Sequence, residues 1–329
     1  MNDPSDARAP RRELQLRAAR AVIAGELGQD ALARLHAPNL TLDLAAIFGM
    51  IALFLLCAWE LATGGPGHII WWACFVLQAD LIIAMAILNH DVFVHRKLLP
   101  ERLRWVLSSI LAWPAQLRSA LYESQHLAHH RALGTDGDTE MHKHGIDTAF
   151  KRLVYATPAL VVFRALFYRN LIVKQQTRPA HGGQRRARWE RGTRYVLFAA
   201  AFASLFLDWR FLVFGYLLPY VTVTPLLNTI RIVLEHFDLD PANPLWVGTF
   251  YRTGPITRVM YWWGTGDAHL VHHYYANIPF YRMPEALRLM RPIMLRAGVY
   301  EHRSLVALLK DWFSGSRPHW SIPAGATSA

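Results

Sequence analysis

The sequence predicts an all-α integral membrane protein, with about four transmembrane helices paired as two hairpins and a helical cap on the cytosolic side. Three observations predict it. Apolar residues fill 53% of the 329 positions while the formal net charge is +11, so apolar blocks must alternate with basic ones. Two apolar runs, residues 42–62 and 69–88, have the length of roughly 20 residues that crosses a bilayer. The 35 basic residues are unevenly spread: six precede residue 41, eighteen lie between 95 and 194, one is Arg210, and ten follow from residue 229 onward.

Taken in order, residues 11–36 set Leu14, Ile23, Leu27, Leu32 and Leu35 among arginines and acids, the pattern of a helix on a membrane surface or of an ordinary solvated one. The first forty residues lack an apolar signal segment, so membrane entry is expected to rest on later runs. Runs 42–62 and 69–88 are joined only by residues 63–68 and form the first hairpin. The second joins 195–207 to 211–234 through Asp208, Trp209 and Arg210. Its longer arm passes Pro219 and Pro225, which should kink it, and then carries Asn228, Arg231, Glu235 and His236. Stretches 105–113 and 153–167 are interrupted by Pro114, Pro158 and Arg164 and read as interfacial or re-entrant helices.

Because the hairpin tips are nearly free of basic residues, both termini and the large middle segment are expected on the cytosolic side. The domain reading is a cytosolic segment 1–40, a membrane domain 41–310 and a tail 311–329. Arginine outnumbers lysine thirty to five, a usage that fits a bacterial inner membrane. The basic residues alternate with apolar runs, and zinc-finger and RNP patterns are missing, so nucleic acid is set aside as a partner. Cys57 and Cys74 sit inside apolar runs and read as packing residues.

Nine of the sixteen histidines fall in four places: His90 and His95; His126, His129 and His130; His236; and His269, His272 and His273. On an α-helix, positions i, i+3 and i+4 share a face, so each HxxHH presents three imidazoles together. The adjacent rings of each pair diverge enough to serve two ions, and an i, i+5 spacing should also split His90 from His95. Two metals are the economical reading. One HxxHH arises by chance in roughly one chain in twenty-five of this composition, two together in about one in a thousand.

Asp91, Asp138, Glu140, Glu235 and Asp267 are candidates to accept the second N–H of the imidazoles and so fix their tautomers. Asp267 also reads as the N-cap of the last histidine helix, and Gly134 as the end of the helix before it, with a turn at 136–138. His142 and His144 read as loop residues. Imidazole suits iron, zinc, copper and nickel alike. HExxH, a cysteine framework and a complete dinucleotide fingerprint are missing, and nine imidazoles exceed the needs of one hydrolytic zinc.

The order HxxxxH, HxxHH, HxxHH, with hairpins between, resembles the integral membrane fatty-acid desaturase and hydroxylase superfamily over about residues 40–300. The last cluster runs on through Pro279, Tyr281 and Pro284, similar to the HHxxPxxPxYxL ending of that family, with Ala276 in place of one proline. The resemblance implies two non-heme iron ions, O2 as co-substrate, and ligation by the histidines of all three boxes plus one on the fourth span, placed at His236. It implies no catalytic residue beyond the metal ligands. Stearoyl-CoA desaturases carry an asparagine shortly before that extra histidine, whereas Asn228 is eight residues away, and the Glu235–His236 pair is more similar to the alkane hydroxylases.

The implied activity is desaturation of an acyl or related lipid-like chain, with hydroxylation or ketolation as the alternative. Two other classes are kept beside it: a membrane metal-dependent hydrolase, and a non-enzymatic metal or heme carrier. Flavin, nicotinamide, four-cysteine and heme motifs are missing. Electrons are therefore expected from an external donor such as ferredoxin, rubredoxin or cytochrome b5.

Overall fold

A computed structural model of the chain describes residues 4–133, 138–140, 149–158, 183–237, 243, 245–254 and 268–314. The described residues are helical with no strand among them; Tyr251 and His302 form an isolated parallel bridge. Among the described residues, three helical runs are long and apolar enough to cross a membrane by length and composition: Gln29–Thr63, Ile69–His95 and Arg188–His236. The chain divides into two compact units. One comprises Met1–His36, His129–Asp147 and Arg231–Ala329, the other Ala37–Ala128 and Thr148–Ile230.

In the second unit, helices α3 (Leu40–Thr63) and α4 (Ile69–Asn89) form the expected first hairpin. The Asn39 side chain caps α3 by accepting from the Leu42 amide at 3.2 Å. Across the tip, Trp71 Nε1 donates to the Leu61 carbonyl at 3.1 Å. Large apolar side chains stay exposed on these helices, among them Leu55, Leu56, Trp59, Ile69 and Ile70, as a lipid-facing surface requires.

Helices α5 (Glu101–Ala112), α6 (Ser119–Ala132) and α7 (Ala149–Tyr155) follow, and then α8 (Gly183–Leu212), which is broken at Asp208, an extended residue at φ −160° and ψ 103°. Trp113 lies 5.9 Å from Phe198 and 5.1 Å from Tyr216. A straight helix would set those two partners about 27 Å apart, so the chain folds back at Asp208, where the sequence places its turn.

Beyond the turn the run splits into a π-turn (Val213–Leu217), α9 (Leu218–Thr222) and α10 (Thr224–His236), broken at Val223 between the two prolines. Pro219 has no N–H for the Gly215 carbonyl, and Gln78 Nε2 of α4 supplies that bond at 2.7 Å. Thr224 Oγ1 likewise donates to the Pro219 and Ala79 carbonyls.

The first unit is built on α1 (Pro4–Leu27), α2 (Gln29–His36), α11 (His269–Tyr274), α12 (Met283–Arg296) and α13 (Leu305–Ser314). Its core joins Leu16, Ala19, Ile23, Leu32 and Leu35 to Leu270, Val271, Met283, Ala286 and Met290. Of the apolar stripe that the sequence offers to a membrane surface or to solvent, Ile23, Leu32 and Leu35 are thus buried in the protein itself, while Leu27 is half-buried and Leu14 is exposed. Helix α13 runs to Ser314 and buries Trp312. Gly134, Asp136, Gly137, His142, His144, Arg164 and the tail from 315 lie outside the described residues.

Candidate metal centre

In the second unit, His90 and His95 open and close a π-turn (His90–His95) that continues α4. An α-helix would set residues five apart about 140° round the axis. A π-turn closes its hydrogen bonds i→i+5 and stacks them instead. His95 Nε2 therefore comes to 3.1 Å from His90 Nε2, and the expected splitting of the two rings is corrected to convergence. His126, on α6, brings its own Nε2 to 2.7 Å from His90 Nε2. Tyr122, one turn earlier on α6, stacks on His126 at 5.4 Å.

The backbone leaving the π-turn is strained, with Lys97 at φ 50° and Leu99 at φ 80°. Ion pairs hold it, those of Arg96 buried. Arg96 donates to both Asp43 oxygens at 2.9 and 2.6 Å and to Asp91 at 2.5 Å. Lys97 pairs with Glu123 of α6 at 3.4 Å. Sequence reasoning missed Asp43 and Arg96 as a pair. An acid inside an apolar run was the available signal, since such a residue needs a partner.

In the first unit, His129 and His130 of α6 separate as their adjacent positions require. The ligand nitrogens of His129, His236 and His273 lie within 4.8 Å of one another. His269 Nε2 stands 3.1 Å from His236 Nε2 and 3.0 Å from His273 Nε2. His130 Nε2 faces His272 Nε2 at 3.1 Å. His236 is held at the end of α10 by a close backbone contact: the Thr249 amide donates to the Glu235 carbonyl at 3.1 Å, and a Cβ on Gly248 would stand 2.8 Å from that same oxygen.

The carboxylates divide by role. Asp138 Oδ1 accepts from His129 Nδ1 at 2.6 Å and from the Glu140 amide at 2.8 Å, which turns the Nε2 lone pair of His129 inward. Glu140 itself stands 3.9 Å from His129 Nε2. Glu235 shares a 4.8 Å group with His236 and His269, yet both its oxygens bond Arg231, at 2.7 and 3.0 Å. Asp91 serves Arg96. Asn228 lies two turns before His236 on α10, half-buried. Asp267 lies outside the described residues, and the N-cap of α11 is Ala268.

Several imidazole nitrogens meeting at about 3 Å can share few protons, so their lone pairs are poised for cations. Burial, reinforced by His130, His269, His129 and His236, pushes the His273 imidazole far toward its neutral form, the form that binds metal. An all-nitrogen set with the Glu235 and Glu140 carboxylates nearby fits iron, and equally other first-row ions. No curated protein matches the chain. The family model described as fatty acid desaturase matches residues 66–304, a segment that contains all nine of these histidines and well over half of the sequence, and the chain belongs to that family.

Proposed function

We propose that the chain is an O2-dependent, non-heme di-iron desaturase that introduces a double bond into an acyl chain or related lipid-like substrate. Family membership already makes it a lipid oxidoreductase by class and fits membrane association. The observation that supports the finer reading is that eight of the histidines meet, each within its own unit, in groups whose facing nitrogens are 2.7 to 3.1 Å apart, and His129 lies within 4.8 Å of His236 and His273. His90, His95, His126, His129, His130, His236, His269, His272 and His273 would hold two irons.

Once bound, the irons would supply the oxidant, formed from O2 and two external electrons, that breaks an unactivated methylene C–H bond. The side chains do the rest. Asp138 holds His129 in one tautomer, Arg96 holds the turn that brings His90 and His95 together, and Arg231 orients Glu235 through two hydrogen bonds. The exposed apolar helices offer a lipid-like substrate a route from the bilayer. We further propose four spans in two hairpins, with both termini and the histidines on the cytosolic side of a bacterial inner membrane. Electrons would come from ferredoxin, rubredoxin or cytochrome b5.

Hydroxylation or ketolation is the second reading, favoured by Glu235 beside His236 and His269. Metal analysis of purified protein tests the site: two irons per chain without heme absorbance are expected, and one zinc per chain would overturn the reading. Lipid profiles of cells with and without the protein test the reaction. Loss of two hydrogens marks desaturation, and gain of one oxygen marks hydroxylation.

A further inference from the structure

Helix α1 lies outside residues 66–304, yet it grips the helix that carries the third histidine cluster. Helix α11 has six residues, too few to hold their shape in water unaided, and three of them are His269, His272 and His273. Its last residue is Tyr274, whose carbonyl is one of the acceptors that a helix C-terminus leaves without an internal donor. That oxygen accepts from Arg20 Nε at 2.6 Å. In return the Tyr275 hydroxyl donates to the Arg20 carbonyl at 2.9 Å.

One residue of α1 thus binds both residues that follow His273. The guanidinium also meets the negative end of the helix dipole. Around this contact Leu16, Ala19 and Ile23 share a core with Leu270 and Val271, and His36 sets its ring edge against Tyr275 at 5.6 Å.

We propose that Arg20 is a positioning residue for the metal centre: by closing the C-terminus of α11 at Tyr274 it fixes the direction of the imidazoles on that helix. The proposal rests on reading His269, His272 and His273 as metal ligands. Fraying would begin at Tyr274, and His272 and His273 sit in the last three residues, so they lose direction first. Glu26 provides a control, because it lies on the same helix but pairs with Arg296 of α12.

Full-length protein in detergent, titrated with Co2+, reads the effect through the ligand-field absorption of the bound ion. Arg20→Gln should bind at least about tenfold more weakly than wild type, with a shifted band. Arg20→Lys should recover part of the loss, and Glu26→Gln should bind as wild type does. Metal-free Arg20→Gln and Glu26→Gln should melt at similar temperatures. Wild-type binding by Arg20→Gln, or an equal loss in Glu26→Gln, would reduce α1 to a packing element and overturn the proposal. Should Arg20→Gln fail to fold, Arg20→Lys carries the test, since it keeps the charge but not the Nε that meets the Tyr274 carbonyl: binding weaker than wild type with a shifted band supports the clamp, and wild-type binding sinks it. A wild-type chain that takes up no Co2+ refutes the metal-site reading itself, and the proposal with it.

Discussion

Asp138 accepts the Nδ1 proton of His129 across 2.6 Å, with both side chains fully buried. The bond selects the tautomer whose Nε2 lone pair faces His236 and His273. Removing such a partner typically costs 10- to 100-fold in metal affinity, so Asp138→Ala should lose about that much. Asp138→Asn should fall between, since its amide oxygen still accepts. Equilibrium dialysis against Co2+ measures both, and wild-type affinity in Asp138→Ala would show that the carboxylate does not orient the ring.

Arg96 and its two acids form a buried cluster whose members differ in what their loss leaves behind. Arg96→Met strands two carboxylates at side-chain exposures near 1%, and breaking a buried pair from one side costs roughly 3 to 5 kcal/mol. Asp43→Asn keeps the Asp91 contact and should cost less. Chemical denaturation in detergent should order the two variants that way. If Arg96→Met proves as stable as wild type, the cluster does not restrain the π-turn.

The spacing of the histidines was enough to find them, because i, i+3 and i+4 positions share a helical face whatever that face meets. It did not show that His90 and His95 converge. An i, i+5 pair is split by an α-helix and stacked by a π-turn, and the choice here goes with contacts to Asp43, some fifty residues away in sequence. In the same way the periodicity of residues 11–36 revealed an apolar stripe without revealing its partner, the α11 and α12 core. Pro219, Pro225 and Asp208 were legible because each acts on its own backbone. Asp43 was not, since an acid in an apolar run announces a partner without naming it.

Glu301 gives the first unit a pH dependence. Burial alone would push its carboxyl up, but hydrogen bonds from Arg291 and Arg252, and their charges, hold it below the ordinary glutamate value. A carboxyl depressed in the folded state stabilises it fully above the unfolded value of about 4.3, and that contribution is lost as pH falls through the lower folded value. Wild type should therefore lose melting temperature on acidification below pH of about 4.5, and Glu301→Gln should start lower at neutral pH and fall less. Parallel curves for the two proteins would rule Glu301 out as the source.

Gly215 sits where the second hairpin presses on the first. An alanine in a helical segment normally gains up to about 1 kcal/mol over glycine. Here its Cβ would stand 3.0 Å from the Ala58 Cβ and 3.1 Å from the Ala58 carbonyl, against a helix backbone that cannot step aside cheaply. Overpacking of this kind costs about 1 to 3 kcal/mol, enough to reverse the propensity gain. Gly215→Ala should therefore lower the melting temperature. Adding Ala58→Gly removes the Cβ contact but leaves the carbonyl one, so the double variant should recover part of the loss. A double variant no more stable than Gly215→Ala would mean that the cost arises in the π-turn around Gly215 and not at its contact with α3.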